Sequence, residues 1–150
     1  MAGFAAAESA QNGSAQQPCP CGGGTYGRCC RPLHRQERLA DTAEQLMRSR
    51  YSAFALGEIE HLMRTQPSDQ PIEQRRRSLQ ATCRQLRWCE LVIVAAEGGG
   101  AGDLEGTVTF EAHYSASGER GVLRECSRFG REGGQPDGAW LYLEALELSG

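Results

Sequence analysis

The sequence predicts an α+β protein in which three helices pack in a curved, largely antiparallel sheet, preceded by a small four-cysteine knuckle. Three observations carry this reading. Apolar residues recur at three- and four-residue steps from about position 43 to 86, β-branched and alternating patterns replace them from Trp88 onward, and four of the seven cysteines lie between Cys19 and Cys30. At 150 residues, with 39% hydrophobic and 23% charged side chains, the chain is sized for one globular domain and a small accessory module.

Residues 1–18 are rich in Ala, Gln, Ser and Gly and carry one charge, Glu8. Such a segment cannot bury enough apolar surface to offset chain entropy and reads as a disordered tail. Residues 19–38 hold the cysteine cluster and an Arg-rich connection from Pro32 to Arg38, and residues 39–150 form the larger domain. Thr42 and Gln45 have capping-box spacing, and Ala43, Leu46, Met47, Tyr51, Phe54 and Ala55 make one amphipathic helix that Gly57 ends. Ile59, Leu62 and Met63 predict a second, short helix stopped before Pro67. A third, from about Gln70 to Arg87, would bury Ile72, Leu79, Cys83 and Leu86.

Strands follow. Trp88 to Ala96 contains Val92, Ile93 and Val94, and the glycines from Gly98 to Gly102 make a loop. From Gly106 to Tyr114 one face carries Val108, Phe110, Ala112 and Tyr114, the other Thr107, Thr109, Glu111 and His113, as in a half-buried strand. Ser117 and Gly118 turn the chain into a third strand, Gly121 to Phe129, and a loop from Gly130 to Gly138 leads to a fourth, Ala139 to Leu148.

The net charge of -3 hides an asymmetry: residues 1–87 carry 12 Arg against 8 acids, residues 88–150 carry 4 against 11. Arg75, Arg76 and Arg77, with Arg84 and Arg87 beyond them, form the one cationic stretch. No aromatic residue interleaves it for base stacking, so a solvated helix face is the better reading and nucleic-acid binding is not expected. The longest apolar run, Leu91 to Ala96, is far short of the roughly 20 residues a bilayer span needs. Met1 to Glu8 lacks the basic start and apolar length of a secretory signal, which predicts a cytoplasmic protein without disulfides.

Cys19-Pro20-Cys21, seven intervening residues and Cys29-Cys30 supply four thiolates, the full complement of a structural zinc site. Pro20 stiffens the first pair, and the glycines after Cys21 let the backbone wrap an ion. Neighbouring cysteines fit an ordinary disulfide badly, a thioredoxin-like Cys-x-x-Cys is absent, and the usual iron–sulfur spacings differ. Four protein ligands leave no position for a reacting water, so Zn2+ at Cys19, Cys21, Cys29 and Cys30 would be structural. His34 in place of one cysteine would still close the shell.

Cys-Pro-Cys-Gly-Gly-Gly with the later Cys-Cys resembles the SEC-C zinc motif, with one residue fewer between the inner cysteines. That resemblance implies a protein-binding element. Pro32-Leu33-His34, Thr42 to Phe54, Cys126-Ser127-Arg128-Phe129 and Trp140-Leu141-Tyr142 are similar to the uncharacterised bacterial YchJ-like family across roughly residues 19 to 144. The family implies a fold like nuclear transport factor 2, a cone of three helices inside a curved sheet, and no established reaction. Thr65-Gln66-Pro67-Ser68 stands where the family tends to have Trp-His-Pro-Ser.

No catalytic constellation is legible. His61 beside Leu62 reads as a surface residue, His113 as solvent-facing, and Glu90 and Glu111 sit on separate strands. Trp88, Trp140 and Tyr51 read as core, Cys83 and Cys89 as buried and inert, and Cys126 has no visible activating partner. Arg128 is equally suited to anchoring an anion or pairing with a core carboxylate. The expected function is a non-catalytic module, binding a protein through the zinc knuckle or a small ligand in the cone pocket. The alternative is an enzyme or small-molecule sensor using that pocket, and the outer sheet face allows a homodimer.

Overall fold

The computed structural model describes residues 13–150. Four helices and four strands follow in order: α1 (Arg31–His34), α2 (Ala43–Leu56), α3 (Ile59–Arg64), α4 (Ile72–Gln85), β1 (Arg87–Gly98), β2 (Glu105–Ala116), β3 (Glu119–Arg131) and β4 (Trp140–Ser149). The strands form one open antiparallel sheet in sequence order β1-β2-β3-β4. The α+β class and all four strands match the sequence reading. The helix count does not: α1, a single turn, lies where only an Arg-rich connection was expected. Pro32 occupies its first turn, where a missing N–H costs nothing.

The helix α2 begins and ends as its residues dictate. Thr42 Oγ1 accepts from the Gln45 N–H at 3.1 Å, and Gly57 closes the far end at φ 76°, a left-handed conformation that a Cβ would penalise. The Ala43 N–H donates to Gly99 O at 2.9 Å, so the β1–β2 loop seats the helix on the sheet. Leu46, Met47, Tyr51, Ala53 and Leu56 are buried, with Val108, Phe110, Ala112, Phe129 and Trp140 from the strands in the same core. Irregularities in the β1–β2 and β3–β4 registers bend these strands where the sheet meets the helices.

Two burial expectations are corrected. No residue of α4 is fully buried, and Ile72 at its start is 63% exposed, because α4 packs on α2 and α3 by a narrow stripe in which Leu79 and Cys83 are only half-buried. Cys89 is exposed, since it lies on β1 beside a register irregularity and across the strand from the half-buried Trp88.

Of the segment read as a tail, residues 1–12 lie outside the described residues. Residues 14–18 are tied to the knuckle: the Tyr26 and Gly27 N–H groups donate to Gln17 O and Ala15 O, both at 2.9 Å, and Pro18 bridges Thr25.

Candidate functional site

Backbone hydrogen bonds shape the knuckle, and Arg48 Nη1 on α2 donates to Cys21 O at 2.9 Å to tie it to the domain. The Cys19 N–H donates to Gly24 O at 2.7 Å and the Gly22 N–H to Cys19 O at 2.9 Å, which turns the chain around Cys21. A 3₁₀ turn at Tyr26–Arg28 then delivers Cys29 and Cys30 to the same side. The four Sγ atoms lie within 4.8 Å of one another, with Cys21 to Cys29 at 3.4 Å, Cys21 to Cys30 at 3.7 Å and Cys29 to Cys30 at 3.9 Å. A tetrahedral ion with sulfurs at about 2.3 Å has edges of roughly 3.8 Å, so the donor set fits a metal ion. A Cβ on Gly23 would stand 2.9 Å from Cys29 Sγ, so only glycine lets the backbone pass this close to the sulfurs.

Electrostatics points the same way. Hydrogen bonds from the Cys21 and Cys30 thiols, with help from Ser52, hold Cys19 far below the ordinary thiol range. Ser52 Oγ on α2 is 3.4 Å from Cys19 Sγ. Burial first, then its hydrogen bond to Cys21, pushes Cys29 up to about 12, and Cys30 is pushed higher by its bonds to Cys19 and Cys21. Four thiolates cannot coexist in this volume without a cation to neutralise them.

His34 is not part of this cluster. Its Nε2 is 2.8 Å from Ser49 O and its Nδ1 2.7 Å from Tyr26 Oη. A carbonyl can only accept, so Nε2 carries the proton and Nδ1 accepts from the tyrosine. Both ring nitrogens are engaged.

The concave face of the sheet and α2 border a half-open cavity of about 290 Å³ with Tyr51, Phe54, Trp88 and Phe110 among its walls. Arg50, Glu125 and Tyr142 place its polar groups. The Tyr142 hydroxyl donates to Glu125 Oε2 at 2.6 Å, and Ser127 Oγ donates to the same oxygen. Burial and then the Glu125 carboxylate push the Tyr142 phenol up, which keeps it a donor. Arg50 lies over the Tyr142 ring at 4.8 Å and donates to Leu62 O at 3.1 Å, Thr65 Oγ1 at 2.6 Å and Gln66 Oε1 at 2.8 Å. Burial pulls it down to about 10, so it is still a cation at neutral pH. Trp88 Nε1 is buried and has no hydrogen-bond partner.

Of the residues singled out from sequence, Cys19, Cys21, Cys29 and Cys30 come together. Trp88 and Tyr51 line the cavity as well as packing. Arg128 does neither of the things expected of it: it sits on the outer face, donating to Glu144 at 2.8 Å and Glu105 at 3.2 Å, both exposed. His113 and Glu111 share that outer side at 3.8 Å, and Glu90 is exposed. His61 is buried at 4% exposure, contrary to expectation, because α3 turns that face onto α2. Two of the three consecutive arginines are used internally, Arg75 on Gln66 O and Arg76 on Glu60 and Glu73. Arg50, Glu125 and Ser127 were not singled out as site residues. The signal was there: Arg50 falls on the apolar stripe of Leu46, Met47 and Phe54, and Glu125 and Ser127 share the inward face of β3 with Leu123 and Phe129.

The sequence profile described as YchJ, middle NTF2-like domain, matches residues 42–145. The chain belongs to that family. A UPF0225 protein of Ralstonia nicotianae is 42% identical to this YchJ-family chain over 131 residues, covering 84% of it and 88% of the relative. One from Vibrio vulnificus is 39% identical over 127 residues, covering 84% and 72%. Among solved structures, a SEC-C motif containing protein of Rhodopseudomonas palustris matches at TM-score 0.72 and 29% identity, over 89% of this chain and 100% of that one. Another from Psychrobacter arcticus matches at TM-score 0.71 and 26% identity, over 91% and 85%. The profile carries the nuclear transport factor 2-like resemblance read from the sequence, and the two solved structures carry the SEC-C one.

Proposed function

We propose that this protein is a non-catalytic binding module of the cytoplasm, in which one structural Zn2+ folds the knuckle and the concave cavity takes a small ligand. The carrying observation is the cavity's polar frame. Glu125, Tyr142 and Ser127 satisfy one another, Arg50 bonds to Leu62 O and to the Thr65 and Gln66 side chains, and the rings of Tyr51, Phe54 and Trp88 are left to a guest. A guest with a flat apolar body suits these walls. The knuckle's solvent side, Gly22 to Thr25 with Arg28, is the surface a protein partner would meet. The zinc reading rests on sulfur spacings that match a tetrahedral shell, with all four ligands supplied by the chain.

A second reading, a proton-transfer enzyme with Glu125 as its base, is favoured by the carboxylate's place in that cavity. Purification of the native protein, followed by mass spectrometry of what it carries and crystallography of the complex, distinguishes them. An intact molecule seated against Trp88 supports the binding module. A molecule converted by the protein, with turnover lost in E125Q, overturns it in favour of the enzyme.

A further inference from the structure

α2 turns two polar side chains toward the knuckle. Arg48 and Ser52 lie one helical turn apart and so share a face, while Met47, Tyr51 and Phe54 of the same helix border the concave cavity. Arg48 Nη1 donates to Cys21 O at 2.9 Å, and its Nε donates to Glu44 Oε2 at 3.0 Å. The guanidinium thus fixes the backbone at the second cysteine and stands as a cation beside the four sulfurs.

Ser52 is wholly buried, and its Oγ is 3.4 Å from Cys19 Sγ. A serine or threonine inside a helix ordinarily directs its proton to a carbonyl of the preceding turn. Ser49 and Thr82 do so, donating to Leu46 O and Ser78 O. Ser52 has the Cys19 sulfur, 33 residues away, as its partner among the described residues. A metal-bound cysteine is a thiolate, which can only accept, so Ser52 Oγ–H is then the donor. Four thiolates around a divalent ion leave a surplus of negative charge in a buried place, and a cation and a donor aimed at it offset that cost.

We propose that Arg48 and Ser52 are positioning residues for the metal site: Ser52 donates to Cys19 Sγ and spreads its charge, Arg48 clamps Cys21 O, and together they slow loss of the ion. This rests on the zinc reading above and goes beyond it, because it assigns retention of the metal to a helix outside the knuckle.

Zinc release from the reduced, zinc-loaded full chain to a chromogenic chelator is followed in S52A, R48M and R48K, and the same variants loaded with Co2+ are read by absorption. S52A and R48M should release zinc about tenfold faster than the native chain. R48K keeps a charge and a donor and should fall between. Without the Ser52 donor the sulfur electrons rise in energy, so the sulfur-to-cobalt charge-transfer band of S52A should move to longer wavelength. Y26F removes a contact between the knuckle and His34 without touching a sulfur, and should leave the band in place. Native release rates in both S52A and R48M, an unmoved band in S52A, or an equal movement in Y26F would overturn the proposal while leaving the zinc reading intact. A native chain that takes up neither ion overturns both.

Discussion

Tyr26 Oη lies 2.7 Å from His34 Nδ1, and this contact joins the knuckle to the domain behind it. Through His34 the connection reaches Ser49 on α2 and then His61 on α3, with ring centroids of the two histidines 4.8 Å apart. The residues are buried at every step, so the cysteine segment is not a loosely tethered finger. Y26F removes the donor while keeping the ring, and leaves His34 Nδ1 without a partner. Chemical denaturation of the zinc-loaded protein should show a loss of about 1–2 kcal/mol. An unchanged midpoint would show that the contact contributes nothing.

Both histidines should make the protein acid-sensitive in a defined window. Burial, followed by His34, Arg50 and Arg64, pushes His61 down to about 2, and burial lowers His34 as well. The native rings stay neutral while the unfolded ones take up protons near their ordinary value of about 6.5. Stability contributed by the neutral rings is fully present above that value. It falls as pH drops below it, by up to about 1.4 kcal/mol per pH unit for each ring. Denaturation curves from pH 7.5 to 5 should therefore slope downward toward acid, and H61Q should be flatter. Equal slopes in the two proteins would contradict the assignment.

Arginines at two positions should behave oppositely. Removing Arg50 strands Leu62 O, Thr65 Oγ1 and Gln66 Oε1 in the interior, and R50A should cost about 3 kcal/mol. R128A removes only outer-face ion pairs and should leave the thermal midpoint where it was. Paired melting experiments check this, and a midpoint that falls as much in R128A as in R50A would refute it.

Thr65 links Arg50 to His61. Its Oγ1 accepts from Arg50 Nη1 and donates to His61 O at 2.7 Å, and Arg50 borders the concave cavity. T65V should destabilise the protein by about 1–2 kcal/mol and change NMR signals of His61 and Tyr142 together. Changes confined to one of those two residues would show that Thr65 does not link them.

Much of this architecture was legible in the sequence because local chemistry announced it. Thr42 and Gly57 mark the ends of α2, the Val108 to Tyr114 alternation gives β2 its faces, and the cysteine density from Cys19 to Cys30 marks the cluster whose four sulfurs could hold a metal ion. The polar heart of the concave cavity was not legible, because Arg50 and Glu125 come from α2 and β3, 75 residues apart, and only the sheet's register brings Tyr142 opposite Phe129 and near them. His61 looked exposed because the six residues of α3 are too few for its apolar positions to define an inward face. The contact with Ser49 that buries it is a tertiary event. Arg128 follows the strand alternation: it lies between Ser127 and Phe129 of the inward face, which sends it outward.

The most direct test of the account is the metal content and coordination of freshly purified, reduced protein, by elemental analysis and X-ray absorption. One zinc per chain with four sulfurs at about 2.3 Å is the predicted result, with the knuckle losing its structure on chelation. Metal-free protein with an intact fold, or an ion with an oxygen ligand in its shell, would contradict it.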